Sequence, residues 1–165
     1  MDAIFRTMLL TLLLLVSLGA QDADKTPASV PWTVPSGWTQ DPKERPMRVA
    51  TFRAGEGENA VEVAVSQFPG DVGGLLANVN RWREQVGLEP ITEEQLPSVI
   101  QTFENPGFKG ATMRLNGEKK HMLAAAIKED KANRTWFVKA VGTPAQADAH
   151  EAAMKAFAQS FGAAR

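Results

Sequence analysis

The apolar positions of this chain change period several times, and each change marks an element. In Ala60–Phe68, Val61, Val63 and Val65 alternate with Ala60, Glu62, Ala64 and Ser66. A period of two with one β-branched face predicts a half-buried strand. Met47–Ala54 reads as its partner strand, and the GEGEN between them as a glycine-rich hairpin turn. From Leu75 the period lengthens. Leu75, Leu76, Val79, Trp82, Arg83 and Val86 fall on one helical side, with Asn78, Asn80, Arg81 and Glu84 largely elsewhere. That predicts a surface helix with an apolar stripe, capped by Asp71 and ended by Gly87. Thr92 and Gln95 have the spacing of a capping box, but Pro97 permits only a short helical turn.

Ser98–Asn105, Phe108–Gly117, Lys119–Asp130 and Thr135–Gly142 read as four more strands, with turns at Pro106–Gly107 and Lys131–Arg134. A final helix follows, with Thr143 as its cap and Pro144 at its first position. Its apolar side is Ala147, His150, Met154, Phe157 and Phe161. Short turns between successive strands imply an antiparallel sheet. The expectation is therefore an α+β two-layer sandwich: a sheet of about six strands whose apolar face is covered by a central helix and a C-terminal helix.

The segments ahead of this domain have a different character. Arg6 precedes an apolar run from Met8 to Leu18, and Ser17, Gly19 and Ala20 are small. This is the layout of a secretory signal over residues 1–19, cleaved near Gly19 or Ala20. The alternative is an uncleaved anchor, for which the run is short of the roughly 20 residues a span needs. Residues 20–34 are polar and then proline-spaced, a linker leading into a domain over residues 35–165. Trp32 and Trp38 flank the last prolines. They read as anchors covering the sheet; an exposed aromatic pair gripping a ligand is the other reading.

Composition narrows the chemistry. The formal charge of the 165-residue chain is -1, so nothing draws it generally to nucleic acid or to acidic membranes. There is no cysteine. Disulfides, thiolate metal sites, cysteine catalysis and a lipid-modified cysteine are all excluded, so the exported chain is expected to be soluble, periplasmic or extracellular.

Reactive patterns are absent from the motifs. The GxG at Gly55–Gly57 precedes a strand rather than a helix and is no dinucleotide fingerprint. In FPGDVGGLLANVNRWREQVGL (Phe68–Leu88) the glycines lead into a helix, as in a phosphate site, but no Lys-Ser/Thr follows them. Asp71 places a carboxylate where an anion would sit, so the stretch reads as a capped corner. His121 and His150 lack metal-ligand spacing. Ser66, Ser98 and Ser160 lack a nucleophile elbow. Glu93 and Glu94 read as a solvated helix start. NRT at Asn133–Thr135 is a glycosylation sequon in a turn, without meaning in a bacterial protein. No catalytic, metal or cofactor site is expected.

Three stretches carry a resemblance: PSGW at Pro35–Trp38, RTWFVKAVGTPAQ at Arg134–Gln146 and FAQSF at Phe157–Phe161. In their order they resemble the PsbP-like and DcrB-like proteins, over roughly Pro35–Phe161. Phe68–Leu88 also looks like a segment of exported proteins of planctomycete-type bacteria. The resemblance implies a PsbP-like fold and a binding or assembly role, and no functional residue transfers from it. The expected function is a non-catalytic exported module contacting another envelope protein. Its candidate surface is Asn78, Arg81, Trp82, Arg83 and Trp38, since arginine and tryptophan recur at interface hot spots. The alternative is a small-ligand carrier whose cleft, between sheet and central helix, is lined by Trp38, Trp82 and Arg83.

Overall fold

The computed structural model describes residues 30–163. The signal and most of the linker expected from the sequence lie outside them. Within them the chain forms one antiparallel sheet and two helices. The strands are β1 (Trp38–Gln40), β2 (Ala50–Ala54), β3 (Val61–Pro69), β4 (Ile100–Asn105), β5 (Phe108–Asn116), β6 (His121–Glu129) and β7 (Arg134–Gly142). The helices are α1 (Leu75–Gln85) and α2 (Pro144–Gln159). The spatial order is β1-β2-β3-β7-β6-β5-β4, with every pair antiparallel.

The α+β class is as the sequence predicts. The sheet has seven strands rather than about six. The additional one, β1, is too short to show a period of its own, and it exists because Trp38, Thr39 and Gln40 pair with Ala54, Arg53 and Phe52. β2 starts at Ala50, three residues later than expected, because Pro46 and Met47 are taken up by a turn.

Layering also differs from a single covered face. On β6, Leu123, Ala125 and Ile127 pack with Trp136, Val138, Met154, Phe157 and Phe161, beneath α2. Met122 and Ala124, pointing the other way, pack with Val79, Trp82, Val86, Met113, Leu115 and Phe137, beneath α1. The two helices therefore lie on opposite faces. The near-continuous apolar run of β6 is what a strand covered on both sides requires.

The core also reaches back into the expected linker. Trp32 is buried, edge-on to Trp136 at 5.5 Å between centroids and tilted against Phe161 at 5.2 Å. The Gly162 amide donates to the Pro31 carbonyl, and the Thr33 amide to the Ser160 hydroxyl. At the other end, Thr143 caps α2 in a full capping box with Gln146. A tight joint holds α1 to the sheet: any Cβ at Gly117 would collide with the carbonyl of Val86, just past the end of α1.

Candidate functional site

The sheet's α1 face is laid out in cross-strand rows. One row runs Thr102, Ala111, Ala126, Phe137 and Ser66 across β4, β5, β6, β7 and β3. The next runs Glu104, Lys109, Lys128, Thr135 and Phe68. Two adjacent alanines under the first turn of α1 leave a hollow that no side chain fills. The result is a cleft of about 420 Å³ between the start of α1 and β4–β7. Leu75, Ala111, Ala126 and Phe137 line it, and Asp71, Glu104, Lys109 and Lys128 stand around it. Its walls are mostly apolar, with charges of both signs around them.

The stretch Phe68–Leu88 builds one wall. Gly74 sits at φ 80°, ψ 163°, a region open in practice only to glycine, and it lets the chain swing from β3 into α1. Asp71 is not the N-cap, as the sequence suggests; Gly74 holds that position. The Asp71 carboxylate accepts the Gly74 amide at 2.9 Å, one turn earlier, so it stabilises the corner and keeps a negative group beside the helix start. Asn78 closes the same corner. Its Nδ2 donates to the carbonyls of Val72 and Gly74 at 2.8 and 2.7 Å, and its Oδ1 accepts from Arg81 at 2.9 Å.

The five candidate surface residues therefore separate. Asn78 and Trp82 are buried, so neither offers a surface. Trp82 meets Phe137 edge-on, and Asn78 spends its amide on the corner. Arg81 is exposed, on the flank of α1, and bonds back to Asn78 rather than forward to Glu84 or Gln85. Arg83 lies on the other flank and donates to the Glu89 carbonyl at 2.7 Å. Trp38 is on the opposite face of the sheet, against Phe52 and Phe157. Trp38, Trp82 and Arg83 thus share no cleft. A cleft between sheet and central helix exists, with a different lining. Its signal in the sequence was Ala124–Ala126, small residues in a strand flanked by large ones.

The histidines are also apart. Arg114 donates to His121 Nδ1 at 2.9 Å and forms ion pairs with Asp148 and Glu151 on α2. His150 is buried and donates to the Asn59 carbonyl at 2.7 Å, against Gly55. Among the described residues, no group of three or more His, Cys, Asp or Glu could hold a metal ion.

Electrostatics set one lysine apart. Lys139 lies on β7 beside Ala64 and Ala124, with Gln85 of α1 at 3.4 Å. Burial lowers its pKa, and the positive charges of Arg48 and Arg81 lower it further. Arg48 belongs to a surface network in which Glu62 pairs with Arg48 and Arg45, and Arg45 with Asp41. The hydrogen bond from Arg48 is the main reason the Glu62 carboxyl sits below its usual value.

No family model matches this chain, and no curated protein matches it. Among solved structures, it is similar to cyanobacterial PsbP (CyanoP) from Synechocystis sp. PCC 6803, with a TM-score of 0.48 and 13% identity, covering 78% of this chain and 83% of that one. It is also similar to LpqN of Mycobacterium tuberculosis, described as involved in cell envelope biogenesis, with a TM-score of 0.42 and 12% identity, covering 78% and 79%.

Proposed function

We propose that this chain is an exported, non-catalytic binding module that engages another envelope protein through the α1 face of its sheet. The observation that carries the reading is the apolar cleft beneath α1. The large side chains on the α2 face interlock around Phe157, whereas the alanine row beneath the start of α1 leaves space open to solvent. Interface energy concentrates where one partner's anchor fills a pocket of the other, and a cleft of this size accepts one or two apolar side chains. The apolar run at Met8–Leu18 supports export. Among the described residues no helix is long and apolar enough to cross a membrane.

The test is a photo-crosslinking residue at position 109, in the native envelope. One discrete protein adduct, lost when Ala126→Leu fills the hollow, is the expected result. No adduct, or one indifferent to Ala126→Leu, overturns the reading.

The volume of the cleft also favours a second reading, a carrier for a small apolar ligand. Ligand pockets run from roughly 300 to 1,000 Å³. Native mass spectrometry of protein taken from the envelope decides for that reading if a small-molecule adduct is present and disappears in Ala126→Leu.

A further inference from the structure

A second feature of the α1 face lies beside the cleft, over β3. The floor is Ala64 and Ser66, both small and half-buried. One bank is the flank of α1, with Arg81 and Gln85 one helical turn apart and Gln85 touching Lys139. The other bank is the segment leading into β2, where Arg48 bonds to Thr51 and to Glu62. Thr51 is the β2 partner of Ala64, and Lys139 is its β7 partner, so Arg48 and Lys139 flank the same floor residue.

Charge and apolar exposure coincide in this groove. Lys139 and Arg81 make no ion pair with any described carboxylate, and Arg53, on the same face, is exposed. The carboxylates on this side are Glu62 and Asp41, both already paired with Arg45, the exposed Glu44 on the segment leading into β2, and Glu84 on the outer surface of α1. The groove is thus cationic on a chain whose net charge is -1. Three of the most exposed large apolar residues border it: Met47 at 71%, Val49 at 49% and Val141 at 44%.

Met47 is held at a conformational cost. The Arg48 amide donates to the Arg45 carbonyl, Pro46 occupies the first central position, and Met47 has φ 64°. That combination is a type II turn with methionine in the glycine position. A left-handed methionine left 71% exposed gains little from packing to offset that cost.

We propose that this groove binds an acidic segment of the partner protein, its carboxylates meeting Lys139 and Arg81 and its apolar side chains covering Met47, Val49 and Val141. The inference rests on the binding-module reading and names the chemistry of the partner. Lys139 and Arg81, gathered without counter-charges, repel one another, and an acidic partner relieves that repulsion while steering its own approach. The half-buried position of Lys139 strengthens each such contact relative to one in open water.

The test uses the full chain and a defined probe: a fluorescein-labelled twelve-residue peptide of alternating Glu and Leu, with a Gln-for-Glu counterpart. The expected result is acidic-peptide binding at least about tenfold tighter than the counterpart, weakening as salt rises. Arg81→Glu and, separately, Lys139→Gln reduce it by a similar factor, with circular dichroism confirming each fold. Equal affinity for the two peptides, or unchanged affinity in both variants, overturns the proposal. The cleft variant Ala126→Leu separates the two claims. If it removes the envelope adduct while the peptides bind alike, the groove assignment falls alone. If charge discrimination holds but no adduct forms, the cleft reading falls and the groove stands.

Discussion

Trp82 of α1 stands edge-on to Phe137 of β7, with centroids 5.1 Å apart and planes at 89°. Through this contact the central helix is seated on the sheet, and both rings are buried. Trp82→Ala leaves a large void and costs about 3–5 kcal/mol, as truncation of a buried aromatic does. Urea unfolding at equilibrium measures it. A loss below about 1 kcal/mol, the range of ordinary surface changes, would mean that α1 is held chiefly elsewhere.

Ala126 is half-buried on the floor of the cleft, between Ala111 and Phe137 in register. A larger apolar side chain there enters space that is already apolar. Ala126→Leu is expected to stabilise the chain by about 1 kcal/mol, less than its three added carbons would contribute in a closed core, because the cleft opens to solvent. A fall in melting temperature would show that the hollow is already tight.

Met47→Gly places the residue best suited to the third position of a type II turn. Relief of the left-handed strain is worth about 1 kcal/mol. The variant is expected to melt higher and to bind the acidic peptide less well. Unchanged or lower stability would mean that the methionine side chain makes up the cost within the free chain.

Glu129 gives the fold an acid-sensitive point. Burial works to raise its pKa, but hydrogen bonds from Arg134 and Trp136, with the charge of Arg134, outweigh it and hold the carboxyl below the usual 4.5. The folded chain thus binds a proton at this site less readily than the unfolded one. The stability this carboxylate contributes is fully present above the ordinary glutamate value and is lost as pH falls through the lowered folded value. Glu129→Gln is expected to lower stability at pH 7 and to flatten its decline below pH 4.5. A decline as steep as that of the parent chain would assign it to other carboxylates, Glu62 and Asp41 first, since both are also lowered.

Lys139 has the opposite linkage. Its folded pKa is lowered below 10.5 by burial and then by Arg48 and Arg81, so its charged form opposes folding. Removing that charge with Lys139→Gln leaves the stability of the free chain unchanged or higher at pH 7 while weakening the acidic peptide. The two effects in opposite directions, read by melting and by titration of the same sample, mark a residue kept for binding rather than for folding. Parallel losses would mark it as structural.

Local pattern determined most of the architecture. Period-two alternation located β3, the glycine and proline punctuation separated the strands, and Thr143 with Pro144 placed the start of α2 to the residue. These signals lie within a few residues of one another, and local backbone physics reads them. Short turns likewise settled that the sheet is antiparallel. What the sequence left open were relations between distant segments. β1 has only three residues and exists through its pairing with β2. Which helix covers which face depends on the parity of β5, β6 and β7 taken together, since β6 is apolar on both sides. The candidate site was decided the same way. Tryptophan and arginine spaced along one helix pointed to a surface, but the packing against Phe137 took Trp82 into the core, and the strand order carried Trp38 to the far face. The cleft, and the groove around Lys139, are made by register between strands far apart in the chain. A hollow is the absence of a side chain where several segments meet, and no single segment records it.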